Sequence, residues 1–260
     1  MTFTEAQITE NIASIWFPFL RIDAAVMAAP LFGSNLVPGR VRILLGLAIA
    51  IAVVPMLPQA PPVELLSIAG LLLSINEILI GVCLGWMLQW LFDAAVIAGQ
   101  TIAMGMGLGF ATMVDPLRGV AVPVLSQFLL LMCWLLFLSM NGHLAFFELV
   151  RSSFDIWPVG GRAMSPEAIQ EVIQGSAVIF ETGLRIALPA VLALLLVQLG
   201  MGVVSRAAPA LNLFAVGFPL ALMIGFVVIA EALPTLLPVL EAALIDVKQR
   251  SLDFLVIGNG

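Results

Sequence analysis

One stretch constrains the fold of this chain more than any other: Gly99-Gln100-Thr101-Ile102-Ala103-Met104-Gly105-Met106-Gly107-Leu108-Gly109-Phe110-Ala111-Thr112-Met113-Val114-Asp115-Pro116. Residues Ala94 to Val114 carry no charge and are long enough to cross a bilayer. Yet glycines alternate at Gly105, Gly107 and Gly109, and glycine loses more backbone entropy in a helix than any other residue. A segment made only to span is not weakened in this way. A segment that breaks, bends or lines a passage is, because irregular backbone at membrane depth survives only where it is buried in protein or faces water.

The surroundings say which solvent to assume. The chain is 62% hydrophobic and only 10% charged, with a mean hydropathy of +1.16, against about 25% charged residues in soluble domains. This composition predicts an all-α integral membrane protein. No long polar stretch exists to form a soluble domain, so residues 1–260 read as a single membrane domain. A net charge of −6 with no basic patch argues against nucleic acid. The polar start, Met1 to Asn11, lacks the positive region of a signal peptide.

Charge-free runs mark the spans. Ala24–Gly39 extends an apolar segment that begins near Ile12, followed by Ile43–Val63 and by Leu65–Phe92, which Asn76 and Glu77 interrupt. Then come Ala94–Val114, Gly119–Phe147, Ile186–Ser205, Ala207–Ala230 and a shorter run, Ala232–Leu240, leading into an amphipathic tail at 241–260. At about 20 apolar residues per span, six or seven helical segments fit, several with Pro or Gly and some expected to be broken. Asn141-Gly142 reads as a helix stop. The stretch from Arg151 to Glu171 is the one sizeable loop, with a helix restarting at Ser165-Pro166-Glu167 on an N-cap, a first-position Pro and a first-turn acid. Positive residues at Arg40, Arg42, Lys248 and Arg250 put the N-terminus outside and the C-terminus in the cytoplasm.

Charges stand where charges are costly. Arg21, Asp23, Glu77, Asp93, Glu181, Arg185, Arg206 and Glu231 lie in or beside apolar runs, at about 2.5–3.5 kcal/mol each for a helix centre. A proton or ion relay, snorkelling at helix ends, and burial against partner subunits or a water-filled passage are the three readings. Glu181 and Arg185 are four apart with the acid first and pair on one face, as a buried structural pair. Arg21 and Asp23, two apart, point to different faces and each needs a partner elsewhere. Gly81 and Gly85 match the small-xxx-small pattern of close helix packing.

Motifs for chemistry are absent. His143 is the one histidine, Cys83 and Cys133 sit in apolar runs, and no phosphate-binding loop occurs. The alternating glycines lack the βαβ context of a dinucleotide fingerprint. No catalytic residue, cofactor or metal is expected.

Ordered landmarks carry a resemblance. They are Arg21-Ile22 with Ala29-Pro30-Leu31-Phe32-Gly33; Val37-Pro38-Gly39-Arg40-Val41-Arg42; Glu77-Ile78-Leu79-Ile80-Gly81 with Leu84-Gly85; and Gly107-Leu108-Gly109-Phe110-Ala111 with Asp115-Pro116. Further on are Phe137-Leu138 with Asn141-Gly142-His143-Leu144, Ser153-Phe154 with Pro158-Val159-Gly160, and Ala187-Leu188-Pro189. Last comes Arg206-Ala207-Ala208-Pro209-Ala210-Leu211-Asn212-Leu213-Phe214 with Gly217-Phe218-Pro219. Each is weak alone; eight in this order are specific. Along nearly its whole length the chain resembles the FliR family of the bacterial flagellar export gate. It departs from that pattern at Met106 and Ala210, where relatives carry Gln, and at Gln198, where they carry Asn.

The resemblance implies broken helices and helical hairpins wound into a hetero-oligomeric gate with FliP-like and FliQ-like proteins. FlhB-like and FlhA-like proteins lie below it, in the bacterial inner membrane at the flagellar basal body. Such a gate passes unfolded flagellar subunits and is not an enzyme. The loop matching Gly105–Gly119 would plug the passage, with Gly105, Met106, Gly107, Leu108, Gly109, Phe110, Met113, Asp115 and Pro116 as plug or pore residues. Arg21, Glu77, Glu181, Arg185, Arg206 and Glu231 would be buried charges serving assembly. The rivals are a secondary transporter with a midplane ion site and the virulence-type secretion relative.

Overall fold

The computed structural model describes residues 5–33, 37–57, 63–108, 124–208 and 213–259, and no strand occurs among the described residues. The helices are α1 (Glu5–Ala28), α2 (Gly39–Val53, continued by a 3-10 turn Val54–Met56), α3 (Ile68–Gly105), α4 (Val124–Ser139) and α5 (Gly142–Ile156). They continue with α6 (Pro166–Gly175), α7 (Val178–Ala207) and α8 (Leu213–Asn259). Gly39–Met56, Ile68–Gly105, Pro166–Ala207 and Val216–Asn259 are each long and apolar enough to cross a membrane. The chain is an all-α integral membrane protein.

Several sequence boundaries move, each for a physical reason. Most of Leu65–Phe92 and the first part of Ala94–Val114 merge into α3, which ends at Gly105, because one charge at Asp93 does not interrupt a backbone ladder. The run Ala207–Ala230 from Leu213 onward, Ala232–Leu240 and most of the expected tail merge into α8, through Pro219, Pro234 and Pro238, while Ala207 closes α7. Away from water, backbone groups must pair within the segment, so a helix outlasts a proline that would end it in solution. At 1.5 Å per residue α3 is about 57 Å long and α8 about 70 Å, both well beyond a hydrocarbon core of about 30 Å. The run Gly119–Phe147 splits at Asn141, a left-handed residue with φ of 57°. The expected loop from Arg151 to Glu171 shrinks, since α5 persists to Ile156. At its far end the expected cap forms: Ser165 Oγ accepts from the Ala168 N–H at 3.1 Å, with Pro166 at the first position.

The chain divides into two compact units. The first joins Met1–Trp90, Asn141–Ser176 and Leu244–Gly260; the second joins Leu91–Met140 and Ala177–Ala243. Phe17, Ile80, Met87, Trp90, Trp157 and Phe254 are buried in the first. In the second, α3, α4, α7 and α8 contribute Ile102, Met106, Leu129, Ala187, Leu194 and Ile229 to one apolar cluster.

Candidate functional site

The alternating glycines begin where α3 ends, and the end is a built one. Gly107 has φ of 81°. The Leu108 N–H donates to the Ala103 carbonyl at 3.0 Å, and the Gly107 N–H to the Met104 carbonyl at 3.0 Å. This is a Schellman motif, with Gly107 at the left-handed position that disfavours any side chain. One more carbonyl of the last turn, that of Gly105, accepts from Gln198 Nε2 of α7 at 3.0 Å. The departure to Gln at 198 therefore still supplies a donor. Met106 is fully buried. It lies against Gly225 of α8, where a Cβ would stand 2.6 Å from Met106 Cγ and 2.7 Å from its sulfur. Met106 and Leu108, with Phe128 of α4 and Phe226, Ile229 and Leu233 of α8, line a wholly apolar cavity of about 480 Å³. Of the expected plug residues, Gly105, Met106, Gly107 and Leu108 belong to this helix end. Gly109, Phe110, Met113, Asp115 and Pro116 lie outside the described residues.

In the first unit the costly charges Arg21 and Glu77 find each other. Arg21 Nε donates to Glu77 Oε2 at 2.6 Å, and neither side chain has any exposed surface. Arg21 Nη1 donates to the carbonyls of Ser153 at 3.1 Å and Trp157 at 2.8 Å, and to Ser153 Oγ at 3.2 Å. The guanidinium carbon lies 4.3 Å from the centre of the Phe154 ring, close enough for a cation–π contact. Arg21 thus caps the C-terminal end of α5, where unpaired carbonyls and the helix dipole both favour a cation. Around it, Asn259 Nδ2 donates to the Ile156 carbonyl at 2.7 Å. Trp157 Nε1 donates to the Arg162 carbonyl at 3.0 Å, and the Met164 N–H to Asn76 Oδ1 at 2.9 Å.

Other expected charges are placed differently. Glu181 and Arg185 do pair, Arg185 Nη2 donating to Glu181 Oε1 at 2.6 Å, but the chain itself leaves them 59% and 68% exposed. Arg206 and Glu231 are exposed as well. Asp23 is half-buried against α2, where a Cβ on Gly46 would stand 3.1 Å from its own Cβ, so Arg21 and Asp23 do face apart. Gly81 and Gly85 are correctly read as a packing pair, but they serve α1 of the same chain. A Cβ at Gly85 would stand 2.5 Å from the Ala25 carbonyl oxygen, and one at Gly81 would collide with that of Arg21. A partner helix cannot use a surface that α1 already covers. Sequence reasoning missed Trp157 and Asn259 as members of the junction. Ser153 and Phe154 were noticed only as landmarks, because partners 132 positions apart share no periodicity. Among the described residues no group of three or more His, Cys, Asp or Glu gathers as a metal-ligand set.

Comparison with known proteins agrees with these landmarks. Residues 12–246 match the family described as "Bacterial export proteins, family 1". The flagellar biosynthetic protein FliR of Escherichia coli K12 is 38% identical over 226 residues, covering 87% of this chain and 86% of the relative. That of Pectobacterium carotovorum is 36% identical over 256 residues, covering 98% and 97%. FliR of Bacillus subtilis is 32% identical over 214 residues, covering 81% and 82%. With matches that run from α1 into α8 and long apolar helices throughout, the chain belongs to the FliR family of bacterial flagellar export proteins, as an integral protein of the inner membrane.

Proposed function

We propose that this chain is a structural, pore-forming subunit of the flagellar type III export gate. It assembles with FliP-like and FliQ-like proteins, above FlhB-like and FlhA-like proteins, and passes unfolded flagellar subunits across the inner membrane. The family match over residues 12–246 carries this reading, and the flagellar names of the relatives favour it over the virulence-type system. Large apolar side chains left exposed along α7 and α8, such as Leu188, Leu192, Leu196, Met223 and Phe226, offer surface for lipid and for neighbouring helices.

An export gate must pass an extended chain and hold back ions. Gly105–Gly119 is our candidate for that seal. Its helix end is anchored by Gly107 and Gln198, and its Met and Phe side chains suit a seal that dewets when closed and adapts to whatever passes. The test is genetic and biochemical together. Removing the gene should abolish swimming and secretion of flagellar subunits, restored by the tagged chain, and that chain should co-purify with FliP- and FliQ-like proteins from native membranes. Normal flagellar secretion without the gene, or a chain recovered free of both proteins, would defeat the reading.

A further inference from the structure

The first unit holds a fully buried ion pair outside the segment proposed as the seal. Arg21, on α1, touches four residues from two other helices, α3 and the end of α5. Its Nε meets Glu77 of α3, its Nη1 meets the end of α5 at Ser153 and Trp157, and its face meets Phe154. Trp157 in turn packs on the end of α8, with ring centres of Trp157 and Phe254 6.0 Å apart and Gly258 pressed against the indole. The approach of α1 to α3 that permits this is made by Gly81 and Gly85, one and two turns beyond Glu77, against Arg21, Ala24, Ala25 and Ala28. Every piece comes from this chain.

We propose that the Arg21–Glu77 junction is a lock that the chain closes by itself, joining its first helix to its last before and without any partner subunit. A relay or a partner contact would need access that neither side chain has, since both are completely enclosed within this one chain. Among the described residues the pair is also only partly satisfied: Arg21 Nη2 and Glu77 Oε1 are buried with no hydrogen-bond partner there. Such a pair contributes little net stability over an apolar replacement, yet breaking it leaves a lone buried charge, which is strongly destabilising. Its role is therefore to reject other arrangements of α1, α3 and α5. This lock needs no partner subunit, so it stands apart from the gate assembly proposed above.

The full chain, carrying an N-terminal affinity tag, is expressed without FliP- and FliQ-like proteins, extracted in mild detergent and passed over a sizing column. R21L, E77L and the double variant R21M/E77L are compared with the unaltered chain, and each is also tested for swimming in the complete cell. R21L and E77L should each cut the recovered monodisperse chain at least about tenfold, and R21M/E77L should recover most of it. The double variant should also swim. Equal loss in all three would overturn the pairing. Loss that appears only when the partners are co-expressed would make the pair a subunit contact instead. A double variant that folds normally but cannot export would show that the charges themselves act in transport, and the lock would be rejected.

Discussion

Gly107 carries a conformation and Gly105 only a position, which makes the two separable by substitution. At φ of 81° a side chain at 107 meets the left-handed penalty of about 1–2 kcal/mol. Asn tolerates that region better than Ala. A Cβ at Gly105 would meet only the flexible tip of Leu194, at 3.1 Å. The apparent melting temperature in mild detergent should therefore rank G107A below G107N, and G107N below the unaltered chain, with G105A close to it. If G105A proves as harmful as G107A, the helix end is not what the glycines serve. Glu181 and Arg185 make a second test. In the lone chain the pair is exposed, where an i,i+4 pair is worth about 0.3–0.5 kcal/mol, so E181L, R185L and their combination should leave its melting almost unchanged. If the assembled gate buries the pair, recovery of the complex should fall more for either single variant than for the double one. The spacing was legible in the sequence; the exposure was not, because it depends on which face of α7 the rest of the chain covers.

At the scale of elements, local signals were read correctly and extents were not. Ser165-Pro166-Glu167 begins a helix and Asn141 ends one, as their chemistry requires. The lengths of α3 and α8 exceed any apolar run, because pairing of the backbone in a membrane carries a helix past Asp93 and past three prolines. Helix packing was half legible: Gly81 and Gly85 announce a close approach without naming the helix that makes it. Gly200 and Gly202 of α7 present the opposite case, since a Cβ at either would meet none of the described residues within 4 Å. Replacing a helix-interior glycine by alanine gains about 0.5–1 kcal/mol when there is room. In the lone chain G200A and G202A should thus hold or raise the melting temperature, whereas G81A, which drives a Cβ into the Arg21 carbonyl, should lower it. Assembled with its partners, a chain carrying G200A/G202A should lose complex yield if a neighbouring helix packs tightly there. Unchanged yield would leave that stretch of α7 to lipid.

Across the whole molecule, order along the chain was legible and long-range pairing was not. Eight landmarks in sequence identify the family, but nothing in one sequence ties Arg21 to Glu77, 56 positions away, or to Trp157, 136 away. The two charges looked alike to Glu181 and Arg185 by composition, and only the folded chain separates an enclosed pair from an exposed one. The seal proposed for Gly105–Gly119 would likewise be a property of the complete gate. Its flanks are firm: α3 closes on Gly107, and Met106 is locked against Gly225. Shortening the segment between α3 and α4 should therefore leave both helices seated while removing material from the passage. Deletion of residues 109–113 in the assembled gate should raise the ion conductance of the membrane, as the apolar closure that excludes water is lost. Secretion of flagellar subunits should continue, because an extended chain needs width and not the seal itself. Conductance measured in cells or in reconstituted bilayers, alongside secretion into the medium, decides the matter. If conductance stays at its unaltered level while secretion stops, the segment is a structural support and Gly105–Gly119 is not the seal.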